Sequence, residues 1–588
     1  MSTALLLVLL AIGLPWLGAL IVWWTGDQRP RLQHTIAVAF SAAAGVAAVF
    51  LLTQTSPDVV GYKELPIWGR AFGHITFVAD GLGVFLAVIA TVIGSLAVIF
   101  SIDYMKGEHQ LGRYYAFVLF FIGAMVGLVL TNNILMMFFF WEITALCSYA
   151  LISFHNDDPK AVAGGIKALI ITQVGGVGLL VGALVSANVF GTFEISEFLA
   201  NASMEVNPVP LTWMAFGCLA AAAAKSAQFP FQTWLPDAME APTPISALIH
   251  AATMVNAGVY LLARFYPAFE EVPYWTTAVV AVGAITALMA AVMALVANDL
   301  KRVLAYSTVS QLGYMVYAIG AGGVLASQFH LFSHSVFKAL LFLGAGAVIH
   351  AAGTRDMRQM GGISKQMPLT RNVFIIGALA LAGIPVLNGF WSKELVLETG
   401  LAHGPIWAYV IMLIGAGLTA LYTFRCVTMV FFGEAHSEHH LHEAGPAMKT
   451  ALIPLALGSL VTWLAFGPFS EMMKNTLPFH EIETEGTLEF VTKIVTDPYT
   501  MLTLFVVTLG LAAWCFRSKL GGLASALKFL GDAAQASFGF EWINRGIVSI
   551  TQWCGETLRG TQTGLLNWNT AYIVGALVIV LAILLMGA

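Results

Sequence analysis

The stretch AAAAAKSAQFPFQTW, residues 220–234, places a single lysine, Lys225, between a run of alanines and Pro230. The flanking sequence is apolar enough to lie in lipid, where a charged side chain costs about 2.5–3.5 kcal/mol on insertion scales. Because Pro230 lacks an N–H and cannot bond the carbonyl of Ser226, we expect the helix to break beside Lys225. The Ser226 carbonyl should then be a free acceptor that water can reach. The stretch therefore predicts a broken membrane helix with a functional lysine at the break.

The composition of the whole chain is that of an integral membrane protein. Of its 588 residues, 59% are hydrophobic and 10% are charged, whereas an ordinary soluble domain has about 25% charged residues. Apolar runs of about 20 residues, each long enough to span a bilayer as a helix, recur from end to end. We predict an all-α integral membrane protein with about 16 transmembrane helices.

Charge and cysteine content exclude two other classes of protein. The net charge is −5 and no basic stripe is present, so we set nucleic-acid binding aside. The cysteines are scattered singly, without the spacing of a zinc, haem or iron–sulfur site, so we expect no cofactor, metal or redox centre in this chain. They are Cys147, Cys218, Cys426, Cys515 and Cys554.

The distribution of basic residues predicts the orientation. When alternate loops are assigned to one side of the membrane, most Lys and Arg residues collect there, including Arg29, Lys106, Lys160, Arg355 and Lys449. Cytoplasmic loops carry such an excess. We therefore expect both termini on the non-cytoplasmic side.

Three pairs of segments suggest an internal repeat. IKALIITQVGG (166–176) matches FKALLFLGAGA (337–347), and NNILMMFFFWE (132–142) matches NDLKRVLAYST (298–308). Proline followed by tryptophan interrupts a span in both FPFQTW (229–234) and IPVLNGFW (384–391). We predict five spans over 113–267 that recur over 274–432. An odd number of spans inverts the second copy, as in many transporters with broken helices.

The remaining segments flank this repeat. We expect N-terminal transmembrane helices over 1–112, additional ones over 451–516, and a C-terminal helix over 569–588. Residues 519–560 mix apolar and polar residues and contain Trp542 and Trp553, a pattern typical of an amphipathic segment lying along the membrane face. A cytoplasmic linker is the alternative.

Ionisable residues recur inside the predicted spans, where each is a functional-site hypothesis. They are Glu142, Lys225, His250, His330, His334, Lys338, Lys393 and Glu394. His330, His334 and Lys338 are four residues apart and share one helix face within an arc of about 80°. Such a row can pass protons along. Copper or zinc binding by the two histidines, and simple packing, remain alternatives.

The charge of Lys225 should depend on its distance from Glu142. Burial favours the neutral amine, whereas a nearby carboxylate favours the ammonium. A permanent salt bridge between the two without a transport role is the alternative. Pro385 precedes Lys393 in the second copy, so both predicted breaks lie near a lysine.

Other charged residues carry weaker expectations. Lys167 and Lys301 are secondary path candidates, although Lys167 could instead be a helix-end residue and Lys301, with Arg302, a cytoplasmic loop charge. Asp80 begins a span and should cap it. We interpret HSEHHLH (436–442) as a solvated loop rather than a metal-binding tract.

Four long motifs resemble the antiporter-like subunits of respiratory complex I and of Mrp-type cation/proton antiporters. They are KSAQFPFQTWLPDAMEAPTPISALIHAATM (225–254), NDLKRVLAYSTVSQLGYM (298–315), HLFSHSVFKALLFLGAGAVIH (330–350) and GFWSKE (389–394). The resemblance covers about residues 75–435 and is greatest to the distal complex I subunit, subunit L or ND-five, and to the large Mrp subunit.

The resemblance implies a role for each matching residue. Glu142 and Lys225 would form a switching pair, and Lys393 would lead to the exit. A central hydrophilic axis would consist of His250, Lys301, His330, His334 and Lys338. Quinone, flavin and iron–sulfur clusters would belong to partner subunits, and 519–560 would correspond to a lateral helix before the last span.

Three departures limit this transfer. Residues 519–560 are short and contain several glycines, which weakens the expectation of one long helix. Asn256 replaces a lysine of the large Mrp subunit. Gly176 stands where the distal complex I subunit tends to have an acidic residue.

We predict a proton-translocating membrane subunit of a complex I-like assembly, partnered by other membrane subunits and lipid, in a bacterial or archaeal plasma membrane. A subunit of an Mrp-type Na⁺/H⁺ antiporter is the alternative, and a transport-inactive scaffold is a third. Because sodium needs oxygen ligands and the intramembrane residues are mostly Lys and His, protons are favoured over Na⁺.

Overall fold

The computed structural model describes residues 2–62, 74–202, 208–434 and 442–561. These residues form two compact units, one ending at Gly531 and the other beginning at Asp532. The predicted C-terminal helix over 569–588 and residues 436–441 of the histidine-rich stretch lie outside the described residues.

The first half of the chain contains eleven α-helices and one hairpin among the described residues. The helices are α1 (Thr3–Thr25), α2 (Pro30–Leu51), α3 (Gly81–Tyr104), α4 (Leu111–Leu130), α5 (Ile134–Ile152), α6 (Pro159–Val189), α7 (Ile195–Asn201), α8 (Pro208–Lys225), α9 (Trp234–Asp237), α10 (Thr243–Ala247) and α11 (Met254–Phe269). The hairpin pairs β1 (Val59–Tyr62) with β2 (Ile75–Val78) in antiparallel register.

The second half, as far as it is described, is also helical. Its helices are α12 (Trp275–Val296), α13 (Leu300–Gly320), α14 (Val324–Ala352), α15 (Pro368–Ala382), α16 (Asn388–His403), α17 (Ile406–Val427), α18 (Pro446–Val461), α19 (Phe466–Thr476), α20 (Thr487–Thr496), α21 (Pro498–Cys515), α22 (Gly521–Ala526), α23 (Lys528–Gln535) and α24 (Phe540–Thr561). The long helix α14 packs against α3, α10, α11, α13, α15, α16 and α18 and is therefore central to the first unit.

Twelve helical segments of the described chain are long and apolar enough to cross a membrane. The protein is therefore a predominantly helical, multi-span membrane protein. Other predicted spans contain helices that are too short or too polar to be counted among these twelve. They are α8, α13 and the pair α15–α16. The predicted total of about 16 helices is not established by this count.

Both expected helix breaks are present. Helix α8 ends at Lys225, and Ala227 adopts a left-handed φ of 50° before Pro230. Helix α15 ends at Ala382, and α16 begins at Asn388. The expectation that the Ser226 carbonyl is free was wrong, because the Gln228 side-chain amide donates to it at 2.8 Å.

Corresponding turns in the two halves make the same pair of backbone hydrogen bonds. Ile134 N donates to Phe193 O at 2.9 Å, and Ile195 N donates to Asn132 O at 2.6 Å. The second half repeats this pattern with Leu300 N to Arg355 O and Met357 N to Asn298 O, both at 2.9 Å. A π-helical turn also occurs in each half, at Leu248–Ala252 and Thr428–Phe432.

The amphipathic segment is divided into several helices. Helices α22, α23 and α24 follow one another, and Ser537 and Phe538 have left-handed φ values between the last two. Helix α24 continues through three glycines, and its Trp542 and Trp553 side chains are exposed. The doubt about one continuous helix over 519–560 is therefore supported.

Candidate functional site

Lys225 is fully buried at the end of α8 and contacts Trp141 of α5. Its Nζ donates to the Trp141 carbonyl at 2.8 Å and lies 4.8 Å from the indole ring centroid. Glu142 is the next residue, and its buried carboxylate oxygens accept no hydrogen bond from Lys225. The Lys225 amine therefore bonds to the backbone next to Glu142 and forms no salt bridge with the Glu142 carboxylate.

Two residues of α6 lie beside the Glu142 carboxylate. The Gln173 side chain is next to it. A Cβ atom built on Gly176 would lie 2.7 Å from Glu142 Oε1. Because real Cβ atoms do not approach so closely, the absence of a side chain at Gly176 gives Glu142 its present position. The acidic residue typical of the distal complex I subunit would collide with Glu142 here unless both moved.

His250 lies in the π-helical turn between α10 and α11. Its ring is buried and stacks on Phe342 of α14, with centroids 4.8 Å apart. Neither ring nitrogen has a hydrogen-bond partner among the described residues. A buried imidazole with two unpaired nitrogens is costly, and a hydrated position is the usual way to satisfy it.

The row His330, His334 and Lys338 lies on α14, with all three side chains buried. The ring centroids of His330 and His334 are 6.4 Å apart. Lys338 Nζ donates to Ser307 Oγ at 2.7 Å. The geometry agrees with the predicted shared helix face.

The two histidines of this row differ in their contacts. His330 contacts Ser392 Oγ at 3.0 Å and Gln311 Oε1 at 3.2 Å, whereas both nitrogens of His334 lack a partner among the described residues. Within the described ranges no three His, Cys, Asp or Glu side chains cluster as a metal site requires.

Lys393 and Glu394 lie near the start of α16, beside the second break. Lys393 Nζ donates to the carbonyl of Leu381, in the last turn of α15, at 2.8 Å. The same amine lies 5.7 Å from the ring centroid of Tyr314. Glu394 is buried next to Thr503 of α21. The second break thus repeats the arrangement of the first, in which a buried lysine donates to a backbone carbonyl.

The four buried lysines donate to uncharged oxygens. The acceptors are the carbonyls of Trp141, Ala241 and Leu381 for Lys225, Lys301 and Lys393, and the Ser307 hydroxyl for Lys338. Within the residues the structure describes, none of these amines is bonded to a carboxylate. A carbonyl or hydroxyl oxygen accepts a hydrogen bond from either the neutral or the charged amine, so these contacts by themselves do not fix the charge of the lysine.

The structure separates the two secondary path candidates. Lys167 forms an ion pair with Asp237 at 2.7 Å, and Arg302 approaches the same carboxylate at 3.5 Å. The interpretation of Lys301 as a loop charge was wrong, because the residue lies in the first turn of α13 and is only 3% exposed. Lys301 therefore belongs with the buried lysines.

Sequence reasoning missed two ion-pair groups. Arg355 contacts Glu240 at 3.0 Å and Asp299 at 3.1 Å. Arg264 forms a two-point ion pair with Asp80, and both are buried. The cap expected of Asp80 is confirmed by its 2.8 Å bond from Gly83 N. The sequence signal for the Arg264–Asp80 pair was an arginine inside an apolar span.

Unpaired polar side chains surround the ionisable row. In the described part of the chain, buried polar atoms without a hydrogen-bond partner occur on Gln228, Gln232, Ser246, Asn256, Gln311, Gln328, Ser333 and Asn388. Most buried polar atoms in proteins are paired with protein or water. This concentration along the breaks and α14 is typical of a hydrated interior.

Comparison with known proteins gives the family. Residues 131–419 match the family described as "NADH:quinone oxidoreductase/Mrp antiporter, TM", and residues 72–115 match "NADH-Ubiquinone oxidoreductase (complex I), chain 5 N-terminus". The chain is 36% identical to NADH-quinone oxidoreductase subunit L of Pseudomonas aeruginosa, over 93% of this chain and 94% of that protein. It is 34% identical to subunit L of Escherichia coli, over 98% of this chain and 99% of that protein.

A solved structure shares the fold. A chain of the Mrp complex from Dietzia sp. DQ12-45-1b superposes with a TM-score of 0.83 and 27% identity. The match covers 100% of this chain and 63% of the Mrp chain. This chain therefore spans less than two thirds of that larger relative.

Proposed function

This chain belongs to the family of membrane subunits shared by NADH:quinone oxidoreductases and Mrp antiporters, and we propose that it is a proton-translocating subunit of a complex I-like assembly. The observation that carries the proposal is the series of buried lysines and histidines. The lysines donate to neutral oxygens, and His250 and His334 have no hydrogen-bond partner among the described residues. A scaffold without transport would have no reason to bear the cost of these groups.

In the proposed path, protons enter from the cytoplasmic side and load Lys225. They pass His250 toward Lys338 and leave near Lys393. Movement of Glu142 toward or away from Lys225 changes the charge of the lysine and drives the step. Moving one charge against 100 mV requires about 2.3 kcal/mol, and the making or breaking of one buried ion pair is worth about 3–5 kcal/mol.

The proposed architecture contains two inverted five-helix repeats, over 113–267 and 274–432. Support comes from the paired backbone hydrogen bonds and the two helix breaks. If both termini lie on the non-cytoplasmic side, the turn that contains Asn132, between α4 and α5, would lie on that side. The turn that contains Asn298, between α12 and α13, would lie on the cytoplasmic side. Segments 1–112, 451–516, 519–560 and 569–588 flank the repeats.

The proposed setting is a multisubunit complex in a bacterial or archaeal plasma membrane. The relatives' printed names place them in NADH-quinone oxidoreductase and Mrp assemblies. Neighbouring membrane subunits would be this chain's partners, and quinone, flavin and iron–sulfur clusters would be held by other subunits.

Cation/proton antiport is the second candidate function. The Mrp fold match favours it. The ionisable row argues for protons, because amines and imidazoles donate or accept protons, whereas Na⁺ is bound by oxygen ligands.

The proposal is tested by ion flux in vesicles that contain the assembled complex. We expect acidification driven by an electron donor, and its loss in Lys225→Ala, while Lys474→Ala, an exposed lysine on α19, retains it. Unchanged donor-driven pumping in Lys225→Ala would refute the proposed path. Proton movement driven by a Na⁺ gradient without any donor would instead establish the antiporter.

A further inference from the structure

A column of polar side chains runs along α11 away from His250. Asn256, Tyr260 and Arg264 are four residues apart, so they share one face of the helix and successive members are about 6 Å apart along its axis. All three side chains are buried. The column runs from the first turn of α11 to within two turns of its end.

The first member of the column contacts the ionisable row. Asn256 Nδ2 donates to Ala251 O at 2.9 Å and to Ser335 Oγ at 3.4 Å. Ser335 directly follows His334 on α14. Asn256 Oδ1 is buried without a partner among the described residues. Asn256 therefore offers an unused acceptor beside Ala251 and Ser335, the residues that directly follow His250 and His334 in the chain.

The other end of the column is an ion pair held from several sides. Arg264 Nε donates to the Tyr260 hydroxyl at 3.1 Å, and that hydroxyl donates to Val129 O at 2.8 Å. The guanidinium makes two contacts with the Asp80 carboxylate. Gly83 N also donates to Asp80 at 2.8 Å. The charged pair is thus held in one place at this end of the column.

A small cavity with a mixed apolar and polar lining adjoins this ion pair. Its volume is about 40 Å³, enough for water, since one molecule needs roughly 10–15 Å³ on the same measure. Its lining includes Asp80, Asn132, Ser196, Arg264 and His480. The cavity places a few further polar groups beside the Arg264–Asp80 pair.

His480 supplies an unused acceptor to the cavity lining. Its Nε2 bonds to the carbonyl of Ala263 at 2.8 Å, so that nitrogen carries the proton. Its Nδ1 is buried without a partner among the described residues. Burial lowers the pKa of His480 to about 4, so the ring is neutral at physiological pH.

We propose that this column is a second polar route between His250 and the face where α11 ends, and that the Arg264–Asp80 pair seals it against protons. A fixed guanidinium in a narrow polar passage repels hydronium, as an arginine does in water-selective pores. Asp80 holds the guanidinium in place through two contacts. The inference rests on the proposed function, because a seal is needed only if His250 carries protons between separated compartments.

The test is passive proton conductance of vesicles that contain the assembled complex, under an imposed pH gradient and without electron donor. We expect Asp80→Asn/Arg264→Gln, which removes both charges and leaves groups that can hydrogen-bond, to increase the conductance several-fold. If the double variant does not assemble, the single variant Arg264→Gln is measured in its place. The matched control is Arg425→Gln, another buried arginine, which bonds to Ala297 O and Asn298 at the end of α12.

A second substitution identifies the route. We call Asp80→Asn/Arg264→Gln the unsealed variant. Adding His250→Phe to it should remove the extra conductance, because phenylalanine cannot carry a proton between the α11 column and the His330–His334–Lys338 row. Conductance equal to that of the parent in the unsealed variant would overturn the seal. An increase that persists with His250→Phe, or that also occurs in Arg425→Gln, would show general damage and overturn the route.

The same vesicles distinguish failure of this inference from failure of the proposed function. If Lys225→Ala abolishes donor-driven pumping while the unsealed variant does not leak, only the seal is wrong. If Lys225→Ala pumps normally, the proposed function itself is wrong.

Discussion

At the scale of single residues, the lysines share a feature that residue type alone does not convey. Lys225 and Lys393 each lie beside a helix break and donate to a backbone carbonyl at 2.8 Å. A neutral acceptor stabilises the amine in either protonation state, whereas a bonded carboxylate would hold it charged. The sequence placed Lys225 and Lys393 inside apolar spans, but their acceptors lie 84 and 12 residues away in the chain.

Gly176 provides a test of the position of Glu142. In Gly176→Ala the added Cβ would lie 2.7 Å from Glu142 Oε1, so the carboxylate has to move relative to Lys225. We expect the complex to assemble and its donor-driven pumping to fall several-fold, measured as the initial rate of vesicle acidification.

The control is Gly182→Ala, two turns farther along α6. Its Cβ would meet Cys218 and Met214 at 3.4 Å, an ordinary contact distance. Equal pumping by the two variants would contradict the importance of the space at Gly176.

At the scale of elements, the break positions were predictable but the local bonding was not. Pro230 removes a backbone donor, which is a property of the residue itself. Whether the released carbonyl meets water or a side chain depends on rotamers, and here the Gln228 amide occupies it. The π-helical turn that carries His250 likewise has no clear sequence signal.

Helix α15 begins with a cap contributed by another segment. The Glu443 carboxylate accepts hydrogen bonds from Leu369 N at 2.8 Å, from Thr370 N at 3.4 Å and from the Thr370 hydroxyl. Burial alone would raise the pKa of Glu443, but these bonds together hold it below the ordinary value. The cap therefore stabilises the protein above the ordinary glutamate pKa, and this stability is lost as the pH falls through the lowered pKa.

We expect Glu443→Gln to destabilise the protein by about 1 kcal/mol near neutral pH, in the range of other lost helix caps. The difference from the parent should shrink in acid, where Glu443 is protonated in both states. Thermal unfolding of the purified complex across pH measures both effects, with exposed Glu489→Gln as control. A difference that is constant with pH would argue against the charged cap.

At the scale of the whole molecule, long-range ion pairs join segments that the sequence leaves unrelated. Arg355, which follows α14, bonds to Met239 O and Glu240, beyond the first break, and to Asp299 at the start of α13. The two proposed repeats are thus tied together where Lys301 contacts Ala241 O.

We expect Arg355→Ala to cost about 1–2 kcal/mol, because several charge-assisted bonds are lost but the group is partly solvated. Arg358→Ala is the matched control, since Arg358 is 65% exposed and pairs with Asp356 of its own loop. Thermal unfolding of the two variants gives the comparison. Equal melting temperatures would show that the Arg355 contacts add no stability.

Composition and hydropathy alone were sufficient for a multi-span helical membrane protein, and long motifs were sufficient for its family. These properties depend on residue type and local spacing, since the bilayer imposes helix length and the cost of charge directly. Only the packed chain decided that Lys225 bonds to Trp141 rather than Glu142 and that Lys301 is buried. It also decided that Arg264 pairs with Asp80, 184 residues away. Side-chain pairing between distant helices depends on distance and orientation in three dimensions, and a linear pattern of charges does not contain that information.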